Sequence, residues 1–250
     1  MPLRFDVITL FPELFAPFVH TGVTRRAFER GQIDLHLHQL RDFAEGSYRR
    51  VDDRPFGGGP GMVMLAEPLA RCVEHVLAQR RDQPPVVLFS PIGERLDHAA
   101  VSAWSQSGGA VLICGRYEGI DQRFIDRFVT AQISLGDFIL SGGEIAALAL
   151  LDATARLLPG VLADEQSPLQ ESFHPQIAGM LDCPHYTRPE VWRGEPAPAV
   201  LLGGNHAAIA AWRHAQSLHL TAQHRPDLLQ AARQRGLLTS DDEKFLQSLP

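Results

Sequence analysis

The chain is short of cysteine, of lysine and of uninterrupted apolar sequence, and each shortage removes a class of protein. The three cysteines, Cys72, Cys114 and Cys183, are odd in number and far apart, which argues against a disulfide framework. Cys183 with His174 and His185 fits no standard zinc spacing, so no metal site is expected. No apolar run approaches the ~18 to 20 residues that a membrane span needs, and Met1-Pro-Leu-Arg-Phe-Asp lacks the regions of a signal peptide. A cytoplasmic protein without membrane contact is the expectation. An excess of positive charge is missing as well: the formal net charge is −6, which by itself argues against a nucleic-acid binder. Its distribution softens that objection. Arg25, Arg26 and Arg30, then Arg41, Arg49, Arg50 and Arg54, gather in the first quarter, and Lys244 is the only lysine. The planar fork of arginine suits phosphate, so local patches would have to do any such binding, in a salt-sensitive way.

What the sequence does have is two glycine loops. Leu135-Gly-Asp-Phe-Ile-Leu-Ser-Gly-Gly-Glu144 stands between a strand-like and a helix-like apolar segment. Val51-Asp-Asp-Arg-Pro-Phe-Gly-Gly-Gly-Pro-Gly-Met-Val-Met64 is a second loop of this kind. Glycine lets a backbone approach a bound molecule closely, and the crevice beyond the strand ends is where α/β sheets bind ligands. Neither loop fits the dinucleotide or P-loop pattern, so the ligand is not held by its phosphates in either standard way.

Periodicity predicts the frame. Arg4 to Leu10 reads as a strand and Phe11-Pro-Glu as the start of a short helix. Ile33 to Gln39 alternates, predicting a half-exposed strand with Ile33, Leu35 and Leu37 inward. Val86 to Phe89 and Ala110 to Cys114 are continuous apolar runs, as in strands covered on both faces. Asp97 to Gln106 has helical character with Asp97 as N-cap. Gly143 to Leu158 is a helix apolar nearly all round, to be buried or at a subunit contact, and Pro159-Gly160 ends it. From Val161 to about Met180 the polar, proline-containing sequence has no period and reads as a linker or mobile loop. Helical pattern returns after Asn205, with Ile209, Trp212, Leu218 and Leu220 in one element and Leu228 and Leu229 in a second. Thr239-Ser-Asp-Asp-Glu resembles a start before Phe245 and Leu246. Strands alternating with helices predict an α/β fold with a largely parallel sheet.

Four segments carry a family resemblance: Arg41-Asp-Phe followed by Val51 to Met64; Cys114-Gly-Arg-Tyr-Glu-Gly-Ile-Asp121; Ser134 to Glu144; and Leu181-Asp-Cys-Pro-His-Tyr-Thr-Arg-Pro189. In this order, over more than half of the chain, they resemble the bacterial tRNA (guanine-N1)-methyltransferase family of the SPOUT class. The resemblance implies methylation of the guanine immediately 3′ of the anticodon in tRNA, with S-adenosylmethionine as cofactor. It also implies a homodimer with its site between protomers. For the fold it implies a trefoil-knotted methyltransferase domain over residues 1–162, a flexible interdomain linker over 163–180 and a small helical tRNA-binding domain over 181–250. The knot comes from the family alone, since periodicity carries no sign of one.

Methyl transfer from a sulfonium needs alignment of donor and acceptor, removal of the N1 proton of guanine, and stabilisation of charge on the purine. For the cofactor pocket the resemblance points to Ser90, Pro91, Gly115, Tyr117, Glu118, Gly119, Ile120, Ser134, Leu135, Gly136, Asp137, Phe138, Ile139, Leu140, Gly142 and Gly143. Each loop follows an apolar strand, in keeping with that reading. Arg156, late on a buried helix where an unpaired charge is costly, maps onto the arginine thought to stabilise the guanine. Its other reading is an ion pair or a helix C-terminal charge. The family places Asp-Ser-Phe in the linker, with the aspartate as general base; here the triplet is Glu171-Ser172-Phe173. Glutamate keeps the carboxylate and adds a methylene, and Asp164 and Glu165 are the nearby alternatives. Ser172 is assigned to substrate binding. Asp52, Asp53 and Gly59 are candidates for contacting the guanine or its neighbour, since carboxylates accept from its N1 and N2 donors; ion pairs with Arg49, Arg50 or Arg54 are the other reading. Tyr186 and Trp192 are candidates for stacking on bases, against ordinary packing. Two rival functions are a noncatalytic RNA-binding homologue that has lost its base and a related enzyme that methylates another RNA atom, such as a ribose hydroxyl.

Overall fold

Runs of β-branched and aromatic residues separated by helices, two of them capped by aspartate side chains, fold the first part of the chain into an α/β layer structure. The computed structural model describes residues 2–164 and 166–249. It divides into two compact units, residues 1–163 and 164–250. In the first unit the order is β1 (Leu3–Thr9), α1 (Ala16–His20), α2 (Arg25–Glu29), β2 (Ile33–Gln39), β3 (Asp52–Asp53), β4 (Val63–Met64), α3 (Ala66–Ala78), β5 (Val86–Arg95), α4 (His98–Ser105), β6 (Gly109–Ile113), α5 (Gln122–Phe128), β7 (Ala131–Ser134) and α6 (Glu144–Arg156). Five strands form one parallel sheet in the order β2-β1-β6-β5-β7, while β3 and β4 make a separate antiparallel pair.

Both faces of the sheet are covered, which is why β6 is buried at every position. Phe5, Val7, Ala110 and Leu112 pack on one face with Ala147, Leu150, Leu151 and Ala155 of α6. Ile8, Val111 and Ile113 pack on the other with Leu69, Cys72, Val73 and Val76 of α3. Each such valine or leucine contributes about 1.5 to 3 kcal/mol when fully buried. Asp97 caps α4 as predicted, accepting from Ala100 N at 2.8 Å. The helix from Glu144 buries one side and leaves Ile145 exposed.

Two predicted details differ. Leu37 is not inward: β2 is an edge strand, and burial falls from Ile33 through Leu35 to Leu37, which is 36% exposed. On the other face His38 turns inward and pairs with Asp6 at 2.9 Å. The strand from Val86 does not stop at Phe89 but runs to Arg95, with a register shift in its pairing to β7 between Phe89 and Glu94. Pro91 cannot donate to a ladder, and the chain bows away from β7 there. It returns so tightly that a Cβ on Gly93 would lie 2.4 Å from Ile133 N.

Asp6 anchors a buried ionic cluster on β1. It accepts from Arg4 Nε at 3.0 Å, Arg80 Nη1 at 3.1 Å and His38. Arg80 also donates to Arg4 O and pairs with Asp82.

The second unit contains α7 (Ser167–Gln170), the short hairpin β8 (Val191–Trp192) with β9 (Glu195–Pro196), then α8 (Ala199–Leu202), α9 (His206–His224), α10 (Pro226–Gln234) and α11 (Ser240–Ser248). Met180, Leu218 and Leu229 form its core, with Phe245 and Leu246 packed against them. Its caps follow the sequence signals: Asn205 accepts from Ala208 N, and Thr239 with Asp242 makes a capping box. The stretch without periodicity before Met180 holds α7 and a 3-10 turn at Pro175–Ile177, tied by Phe173 N to Met180 O at 2.8 Å. Among the described residues no helix is long and apolar enough to cross a membrane.

Candidate functional site

Beside the bow in β5 and beyond the C-terminal ends of β6 and β7 the chain encloses a cavity of about 310 Å³, which falls at the lower end of ligand pockets. Three loops build its walls. Ser90 and Pro91 come from the bowed part of β5; Gly115, Tyr117, Glu118, Gly119 and Ile120 follow β6; Ser134, Leu135, Gly136, Phe138, Ile139, Leu140, Gly142 and Gly143 follow β7. All of these were singled out from the sequence. Asp137 is exposed and does not line the cavity. The apolar floor from Leu88, Ile125, Ile133 and Ala146, and the polar Ser141, were not singled out, and Arg116, inside the Gly115 to Ile120 loop, was given no role of its own. For Arg116 a signal existed: it sits inside the Cys114 to Asp121 motif, opposite in charge to Glu144 in the other motif.

Close approach accounts for two glycines, to backbone at Gly143 and to a side chain at Gly61, which also has φ +75°. A Cβ on Gly143 would lie 2.7 Å from Cys114 Cα, and Gly143 N donates to Gly115 O at 2.9 Å. A Cβ on Gly61 would meet the Glu118 side chain at 2.4 Å. The second contact marks a wider union, in which the earlier glycine loop is zipped onto the pocket wall. Glu118 N donates to Met62 O, Met64 N to Gly119 O and Asp121 N to Met64 O, at 2.9 to 3.0 Å. Tyr117, in the left-handed region at φ 61°, is uncommon there for a non-glycine residue. Burial, with the nearby Asp52 charge adding to it and Arg41 opposing it, raises the phenol's pKa. Asp52 thus reaches the cavity rim through Tyr117. Asp53 pairs with Arg50 Nη2 at 2.9 Å and accepts from the backbone amide Arg54 N at 2.8 Å. Gly59 is at the exposed part of the loop. Cys114, under the pocket, has its thiol pushed well up by burial and by the nearby Glu144 charge; it is no thiolate nucleophile.

The basic tract is largely engaged in structure. Arg26 and Arg30 donate to Val161 O and Gly160 O, Arg49 pairs with Asp42, and Arg41 donates to Arg49 O.

Arg156 occupies the last turn of α6, half-buried and outside the cavity lining. Burial raises the carboxyl of Asp152, one turn earlier, and the charge of Arg156 opposes that rise. Glu171 belongs to the second unit, just after α7, where His174 N donates to its carbonyl at 3.2 Å. Ser172 Oγ accepts from Asp182 N at 2.9 Å. Asp164 Oδ1 accepts from Gln166 N at 2.9 Å, and Glu165 lies outside the described residues. Tyr186 packs edge-on against Trp212, while Trp192 is 60% exposed with Arg193 over its ring at 4.9 Å.

Backbone turns thus close around a cavity at the strand ends, with Glu118 in its lining. The family profile described as tRNA (Guanine-1)-methyltransferase TrmD matches residues 3–231. Proteins named tRNA (guanine-N(1)-)-methyltransferase are similar along the whole length. The one from Polaromonas sp. is 64% identical over 99% of this chain and 97% of its own. Those from Albidiferax ferrireducens and Bordetella pertussis are 63% and 55% identical, over 98% and 99% of this chain and 99% and 98% of their own. The chain therefore belongs to the tRNA (guanine-1)-methyltransferase family.

Proposed function

We propose that the protein methylates N1 of the guanine immediately 3′ of the anticodon in tRNA, with S-adenosylmethionine as methyl donor and as a cytoplasmic homodimer. The observation that carries this reading is the coincidence of family membership along nearly the whole chain with a cavity built from the loops that the resemblance names.

The cavity suits such a donor by its chemistry. Leu88, Ile133, Phe138 and Ile139 offer apolar surface to a purine ring. Backbone amides and carbonyls at Gly115, Leu135 and Gly136 can meet its polar edge, with glycines allowing close approach. When bound, the donor supplies a methyl group on a cationic sulfur, already activated for transfer. What remains falls to the protein. Glu171 accepts the N1 proton, and Arg156 stabilises the negative charge that then develops on the purine. Asp52 and Asp53, with Gly59 and Ser172, contact the target nucleotide. Residues 1–162 bind the donor and dimerise, residues 163–180 connect, and residues 181–250 hold tRNA.

Incubation of the protein with labelled S-adenosylmethionine and unmodified tRNA, followed by nucleoside analysis, tests this. N1-methylguanosine is the expected product. Label on ribose, or no label in RNA, would overturn the proposal in favour of another RNA atom or a noncatalytic homologue.

A further inference from the structure

Arg116 lines the cavity, and the two terminal nitrogens of its guanidinium are engaged by the protein while the buried Nε has no hydrogen-bond partner among the described residues. Nη1 donates to Ser141 O at 3.1 Å, Nη2 lies 2.9 Å from Glu144 Oε2, and the guanidinium carbon stands 4.5 Å above the Phe11 ring. Glu144, the first residue of α6, is fully buried, and its Oε1 accepts from Thr9 Oγ1 at 2.8 Å. Four segments therefore meet on one cation: the end of β1, the loop after β6, the loop after β7 and the start of α6.

The arrangement is constrained from both sides. A buried carboxylate left without its partner is strongly destabilising, so Glu144 keeps Arg116 from swinging to solvent. Gly142 leaves the room it occupies: a Cβ there would lie 2.2 Å from Arg116 Nε. The wall that Arg116 grips is not fixed by burial, since Phe138, Ile139 and Leu140 are all exposed, Ile139 to 81%.

We propose that Arg116 is a positioning residue for the donor pocket: anchored by Glu144, it holds the 138–142 wall in its binding shape through the Ser141 carbonyl. This rests on the reading of the cavity as the donor site. The role is one of binding rather than chemistry, so it predicts a split between donor affinity and turnover.

The test compares the full chain with R116A, R116K, E144Q and R116A/E144Q. It measures calorimetric Kd for S-adenosylmethionine, donor KM and kcat with tRNA, and Tm. R116A is expected to raise donor Kd and KM about tenfold, as for loss of a charged hydrogen bond, with kcat changed by less than about threefold. R116K should recover only part of the affinity, because an ammonium cannot bridge Ser141 O and Glu144 in the planar geometry of a guanidinium. The double variant should lose less than the product of the single losses, since it leaves no unpaired buried charge. Donor affinity within about twofold of the parent in R116A and R116K would overturn the proposal, as would a fall in Tm with no change in donor KM. If R116A does not fold, R116K decides alone by the same criterion. Absence of donor binding by the unmodified chain would reject the donor site itself, an outcome distinct from normal binding by chain and variants alike.

Discussion

Glu171 is the residue at which this chain departs from its family, and its substitutions are the most discriminating. Glu171→Ala should lower the single-turnover rate about 10² to 10⁴-fold, the usual effect of removing a general base, with donor affinity unchanged. If the loop is fitted to the longer side chain, Glu171→Asp should be slower than the parent. A rate equal to or above the parent would mark glutamate as a tolerated replacement. A full-rate alanine variant would dismiss Glu171 and direct attention to Asp164 or Glu165. Gly143→Ala makes a second case. The added carbon meets backbone, 2.7 Å from Cys114 Cα, so neither side can yield cheaply and calorimetry should show donor binding lost. Gly142→Val should lose donor binding too, through displacement of Arg116 rather than by filling ligand space, because the added carbon meets the Arg116 side chain. That distinction was illegible in the sequence: Arg116 and Glu144 each stand in a recognised motif, but only the fold brings their charges within 2.9 Å.

Elements were legible where local chemistry decides them. The helices α9 and α11 begin at Asn205 and Thr239, whose side chains accept from backbone amides at the first turn. Thr239→Ala should therefore cost about 1 kcal/mol, seen as a lower Tm in thermal melts of the full chain; an unchanged Tm would mean the cap contributes nothing to the cooperative unit. Order that comes from isolated contacts was not legible. Around Glu171 to Met180 the chain is held by single bonds such as Asp182 N to Ser172 Oγ and by burial of Met180, which leave no period to read. Leu37 failed for a related reason: alternation identifies a face, but only the neighbouring elements decide whether that face is covered at both ends of the strand. The bowed part of β5 is similar, since Ser90-Pro91 looks like a strand end and the resumption of pairing at Glu94 depends on β7.

For the molecule in acid, Asp6 is the informative group. Burial alone would raise its carboxyl, but the hydrogen bonds from His38 and Arg4 prevail and hold it at about 2, below the ordinary 3.8. A carboxylate depressed in the fold adds stability that is complete above its unfolded pKa and is lost as pH falls from about 4 through 2. Asp6→Asn should lower Tm at pH 7, because Arg80 keeps Asp82 but loses its buried carboxylate partner, at a cost of about 1 to 3 kcal/mol, and should flatten the Tm profile over that acid range. A profile as steep as the parent's would assign the acid sensitivity to other carboxylates. Residues 1–163 contain their own two-faced core, so a chain ending there should still bind S-adenosylmethionine while losing tRNA affinity; equal tRNA binding by both forms would give that task to the first unit. The pairing of β1 has one more consequence, for biosynthesis. Its second neighbour, β6, begins about 100 residues after β1 ends. At ribosomal rates of about 5 to 20 residues per second, the strand waits on the order of 5 to 20 s for that partner to be made. During this interval Phe5 and Val7 have only β2 beside them, and one open edge is a template for wrong pairing. The nascent chain up to Gly108 is thus the form of this protein most in need of a chaperone.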